Sequence, residues 1–100
     1  MTTPKRVGAF PDMPTMAETV AGFESVSWGG VVVPAGVPNA IVARLNKEVN
    51  AALALPQVRE KFASFGVELS GGAPEVFAAQ IRKDAAKWAD VIKRAGVKPD

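Results

Sequence analysis

The sequence predicts an α/β chain whose sheet is incomplete, and three observations carry that reading. Residues 23–34, FESVSWGGVVVP, form a strand pattern in the chain's middle. Three helical patterns follow it. Only one further strand pattern, the short stretch 67–70, accompanies them. Two strands do not make a stable sheet, while apolar helical stripes need a layer to pack on. The chain therefore reads as part of an α/β protein whose other strands lie elsewhere.

Taken in order, residues 1–14 carry Pro4, Pro11 and Pro14, a spacing that forbids regular helix and favours a turning path. A short helical run follows over residues 15–20. Pro14 sits at a first-turn position, where its missing N–H costs nothing, and Gly22 lies near the run's end. In the central stretch, Glu24-Ser25-Val26-Ser27-Trp28 alternates as a half-buried strand does, and Val31-Val32-Val33 is the β-branched run of a strand buried on both faces. Gly29 and Gly30 separate the halves. Paired glycines in a strand mark a bulge, a bend or the close approach of another backbone; a plain strand with a flexible middle fits them equally. Pro34 ends the ladder for want of an N–H.

Pro38 opens the next helix. Its Ile41, Val42, Leu45, Val49 and Leu53 recur at helical spacing, with Arg44, Lys47 and Glu48 opposite. Pro56 breaks this run and restarts it over 56–65, where Val58, Phe62 and Phe65 share a face and Gly66 follows as the left-handed terminator. Residues 67–70 alternate as a short edge strand. The loop Gly71-Gly72-Ala73 feeds a last helix over 74–95. Its Phe77, Ile81, Ala85, Trp88, Ile92 and Ala95 form a stripe expected to be buried, with Trp88 in the core. Asp84–Lys87, Asp90–Lys93 and Asp90–Arg94 stand at ion-pair spacing, and Gly96 ends the helix.

Composition excludes much chemistry. A chain of 100 residues, 48% hydrophobic, is one small domain or a piece of a larger one, with little core to spare. Twelve basic and ten acidic residues leave a net charge of +2 spread along the chain, unlike the clustered basic face that nucleic acid requires. Without cysteine or histidine there is no disulfide, no Ser-His or Cys-His nucleophile pair and no usual zinc site. No catalytic residue, metal site or cofactor site is read, and the chain is not expected to be an enzyme. Gly71-Gly72 is no phosphate loop, since no Lys-Ser/Thr follows. No apolar run approaches the ~18 residues of a membrane helix. No apolar stretch of a signal peptide follows Met1, so the chain as it stands is expected to stay in the cytoplasm.

A set of short motifs then recurs in a recognisable order. It runs Pro11-Asp12-Met13-Pro14-Thr15, Glu18, Gly22-Phe23-Glu24, Ser27-Trp28, Gly30, Pro34-Ala35-Gly36 and Pro38. It continues with Ile41-Val42-Ala43-Arg44-Leu45-Asn46, Pro56-Gln57-Val58-Arg59, Gly71-Gly72, Pro74-Glu75, Phe77, Ile81, Lys87-Trp88 and Ala95-Gly96. In this order and spacing the chain, from Lys5 onward, resembles the C-terminal part of the tripartite tricarboxylate transporter substrate-binding family, the Bug (TctC-like) solute receptors.

The resemblance implies an α/β fold, the C-terminal portion of a type II periplasmic binding protein. Its two lobes close on a small carboxylate and deliver it to the membrane subunits of a transporter. Residues 1–100 would be a single partial domain: 1–23 leave the second lobe, 24–34 are the crossover strand with Gly29 and Gly30 as its hinge, and 35–100 pack on the first lobe. The parent would be periplasmic and the ligand a di- or tricarboxylate. Carboxylate capture in such clefts rests on backbone N–H groups and small hydroxyls. Thr15, with a hydroxyl and a free N–H, and Ser27 and Trp28, at the crossover, are the ligand-binding candidates; each also reads as a plain cap, strand or core residue. Arg44, Arg59 and Arg82 read as solvated. Val37 and Ala73 stand where the family commonly has Thr before a helix-opening proline, a lost cap of about 1 kcal/mol apiece, and Gly29 stands where an aromatic is common. The alternative reading is a structural or interaction module that self-associates to complete its sheet.

Overall fold

The structure, a computed structural model, describes residues 1–99. Its elements are a 3₁₀ turn, Met16–Glu18, and three helices: α1, Asn39–Leu53; α2, Pro56–Ser64; and α3, Pro74–Ala95. The chain divides into two compact units. One joins Met1–Val33 to Leu55–Leu69; the other joins Pro34–Ala54 to the chain from Ser70.

Proline sets where the helices begin. It excludes the preceding residue from helical geometry, so Leu55 before Pro56 is extended (φ −65°, ψ 131°) and Ala73 before Pro74 likewise (φ −71°, ψ 153°). Before α1, Pro38 is itself the cap (φ −55°, ψ 140°), and the helix starts at Asn39, one residue later than expected. Glycine sets where α2 and α3 end. Gly66 and Gly96 take the left-handed conformation (φ 70° and 69°). The next N–H in each case turns back five residues, Val67 to the Phe62 carbonyl at 3.0 Å and Val97 to Ile92 at 3.2 Å, which satisfies carbonyls the helix leaves open.

In the first unit, the proline-rich start is folded by its backbone. Phe10 N–H donates to the Val7 carbonyl at 2.9 Å, Met13 N–H to Phe10 at 3.1 Å, and Met16 N–H to Met1 at 2.7 Å. The Phe10 ring lies against Gly66 at the end of α2. The expected crossover strand at 24–34 and edge strand at 67–70 are not formed: no β-strand occurs among the described residues. A strand exists only in a ladder. Here Ser25 N–H reaches the Thr2 carbonyl at 2.9 Å, and no ladder grows from that bond. Val31 and Val32, expected to be buried on both faces, are 70% and 74% exposed.

In the second unit, α1 is fastened to the loop before α3 by two asparagines. Asn46 and Asn50 both donate from Nδ2 to the Gly72 carbonyl, at 2.8 and 3.0 Å, and Asn50 Oδ1 accepts the Gly72 N–H at 2.9 Å. Both backbone polar groups of one residue, Gly72, are thereby satisfied by side chains on a single helix face. Asp90 and Arg94 form the expected pair along α3 at 3.0 Å, and Lys87 Nζ stands 5.1 Å from the Trp88 ring centre.

The stripes expected to be buried are not. Ile41, Leu45 and Val49 on α1, and Ile81, Trp88 and Ile92 on α3, are exposed, while Val42, Leu53 and Phe77 are half-buried. Among the described residues no apolar side chain is fully buried. The faces are amphipathic as read; the second layer that would cover them is absent among the described residues.

Two outcomes follow for the second unit. Asn50→Ala should lower its stability by about 1 kcal/mol, since it leaves the Gly72 N–H without its acceptor and the Gly72 carbonyl with Asn46 alone; an unchanged urea midpoint would show the clamp to be idle. Ala73 caps α3 without a side-chain bond, so Ala73→Ser should raise stability by about 0.5–1 kcal/mol, read from the same transition.

Candidate functional site

The densest polar arrangement in the first unit is built on Arg6. Its guanidinium donates from Nε to Glu18 Oε1 at 2.6 Å, from Nη2 to Glu18 Oε2 at 2.8 Å, and from Nη1 to the Pro11 carbonyl at 3.1 Å. Two parallel N–H bonds to one carboxylate match the planar fork of arginine to the two oxygens. The turn that carries Glu18 exists because Thr15-Met16-Ala17-Glu18 is a capping box, with a threonine at the cap and a glutamate three residues on. The same Glu18 oxygen reaches back to the Thr15 N–H at 3.4 Å. The Met1 amino group closes the neighbourhood on the Pro14 carbonyl at 2.9 Å.

These contacts set the local charge. The Arg6 hydrogen bond, before any other cause, holds the Glu18 carboxyl at about 2 against its ordinary 4.5. The same pair raises the Arg6 pKa. Both side chains are a little under half exposed, 46% and 42%, so solvent screens the pair and its share of stability is small.

The three residues singled out in the sequence sit in different surroundings. Thr15 is 4% exposed, the buried polar residue of the described chain. Its N–H, expected to be free, is taken by Glu18. Ser27 is exposed on the stretch without regular structure, and Trp28 beside it is 42% exposed, not enclosed in a core. A Cβ placed on Gly29 would meet open space, so no backbone approaches it closely. Arg44 pairs with Glu48 along α1 at 3.6 Å, both well exposed.

Sequence reasoning passed over Arg6. The capping-box spacing of Thr15 and Glu18 was a readable signal; the arginine gave none, because its partner is twelve residues away across two prolines, Pro11 and Pro14. No group of three or more His, Cys, Asp or Glu able to hold a metal occurs among the described residues, and none of their helices is long and apolar enough to cross a membrane.

Comparison with known proteins identifies relatives of the chain. The family model described as the tripartite tricarboxylate transporter family receptor matches residues 1–97. A protein encoded in the tcbD-tcbE intergenic region of Pseudomonas sp. (strain P51) is 42% identical over 84 residues, which are 82% of this chain and 25% of that protein. Protein BugT of Bordetella pertussis is 33% identical over 90 residues, 89% of this chain and 28% of BugT. The solved structure of the periplasmic binding protein BugD superposes with a TM-score of 0.84 at 36% identity, covering 99% of this chain and 34% of BugD. The chain thus spans about a quarter to a third of the length of these relatives.

The ion pair has a testable pH signature. The folded Glu18 value lies below the ordinary one, so the pair contributes fully above about pH 4.5 and its contribution is lost as pH falls through about 2. Following the Glu18 side-chain carboxyl by NMR should give a midpoint near 2 that returns towards 4.5 in Arg6→Gln. An ordinary midpoint in the unaltered chain would rule the pairing out.

Proposed function

The chain belongs to the tripartite tricarboxylate transporter receptor family, and from that membership we propose that it is the C-terminal part of a periplasmic receptor that binds a small di- or tricarboxylate and presents it to the membrane subunits of a transporter. The family is one of receptors, not of enzymes, and binding here involves no chemical step. The observation that carries the proposal is the fit to BugD: nearly the whole chain follows about one third of that periplasmic binding protein. The bare faces of α1 and α3 support it too, because a helix layer with one apolar side is built to lie on another layer.

On this reading residues 1–23 lead out of the second lobe and residues 24–34 cross between the lobes, gaining in the complete receptor the ladder partners that a strand needs. Gly29 and Gly30 are the hinge of that crossover, and residues 35–100 cover the first lobe. The acid is held near the crossover. The Ser27 hydroxyl donates to it, the Trp28 indole borders it, and Thr15 places its turn beside them. Selectivity comes from cleft shape and lobe closure.

Replacing the matched third of BugD with this chain tests the proposal. The chimera should fold and bind members of a di- and tricarboxylate panel by calorimetry, and Ser27→Ala with Trp28→Ala should weaken binding by about tenfold or more. A folded chimera that binds none of the acids would sink the receptor reading.

A further inference from the structure

We propose that Arg6 and the Thr15 N–H form a binding site for the carboxylate group of a small organic acid, and that Glu18 occupies this site as the chain's own stand-in for that ligand. The inference rests on the receptor reading for the class of ligand, and on geometry for the site.

Three donors converge on one carboxylate. Arg6 Nε and Nη2 take its two oxygens at 2.6 and 2.8 Å, and the Thr15 N–H takes one of them at 3.4 Å. The fork does not depend on Glu18 for its position, because Nη1 is held separately by the Pro11 carbonyl at 3.1 Å. If the Glu18 side chain swings away, the pair of N–H groups it vacates remains aimed at the same place. The Arg6 and Glu18 side chains are close to half exposed, so solutes reach the fork, while Thr15, which supplies the third donor, is itself buried. A free carboxylate matches every donor that Glu18 now uses, and arginine gains the same bidentate geometry from either. The low Glu18 pKa expresses the same preference for a charged carboxylate at this point.

A tethered carboxylate is a competitor at high local concentration. An acid in solution binds only the fraction of chains in which Glu18 has let go, so its apparent affinity falls by that fraction. Glu18 therefore keeps the site filled with the correct chemistry while no ligand is present, and sets the concentration at which a ligand displaces it.

The 100-residue chain, labelled with ¹⁵N and titrated with succinate and with citrate at neutral pH, tests this. The resonances read are the Arg6 Nε–H, the Thr15 and Ser27 amides and the Trp28 indole. In Glu18→Ala, Arg6 and Thr15 should shift saturably, at ligand concentrations about tenfold below those the unaltered chain needs. The same two resonances should move, later, in the unaltered chain. Arg6→Gln in the Glu18→Ala background should abolish the shifts. If circular dichroism shows Glu18→Ala unfolded, Glu18→Gln, which keeps a capping-box residue, takes its place. Absence of saturable shifts at Arg6 and Thr15 in the folded Glu18 variant and in the unaltered chain overturns the proposal, as do shifts that survive Arg6→Gln. Shifts confined to Ser27 and Trp28 overturn this site and leave the receptor reading standing.

Discussion

An apolar helix face stabilises a protein only when it leaves water, and this constraint governs the whole chain. Ile41, Leu45 and Val49 on α1 and Ile81, Trp88 and Ile92 on α3 remain at the solvent boundary. What holds each unit is therefore largely polar and local. Prolines start the helices, glycines stop them, asparagines clamp a loop peptide, and one arginine ties three points of the N-terminal segment together. Such contacts fix geometry well, but each is worth little in water. The chain has the outline of a folded piece without the burial that makes folding strongly favourable.

That imbalance also explains which parts were legible beforehand. The bounds of α3 follow from Pro74 and Gly96 alone, and α2 from Pro56 and Gly66, because proline and glycine act on their own backbone. The helical stripes were legible as stripes. Whether they are buried was not, since burial belongs to whatever lies opposite them. The central stretch shows the same limit: its alternation and valine run carry a strand's propensity, but a ladder needs a second chain of peptides that the described residues do not offer. The tricarboxylate-receptor likeness was legible because it depends on the order of residues rather than on their contacts.

At the candidate site the division runs through single residues. Thr15 was marked for its hydroxyl and N–H, and the structure shows that N–H already engaged by Glu18. Arg6 drew no assignment from the sequence, yet it organises the segment. A guanidinium has five donors and long reach, so its partners are set by how the chain turns between Arg6 and Glu18. Pro11 and Pro14 direct that turn, and their combined path cannot be summed from local rules. Asn46 and Asn50 are similar. Asparagine is a poor helix former, and two of them four residues apart inside α1 make sense only beside the Gly72 peptide they grip.

The bare faces of α1 and α3 have a thermodynamic consequence. The heat-capacity change of unfolding comes mainly from apolar surface newly exposed to water. Here much of that surface is exposed already, so unfolding the chain alone releases little more of it. Its stability curve is correspondingly flatter than that of a domain with a buried core, with a broad transition and a shallow response to denaturant. Covering those faces in a larger protein would change more than the depth of the curve. It would give the segment the curvature, and with it the cooperativity, of a domain that melts as one.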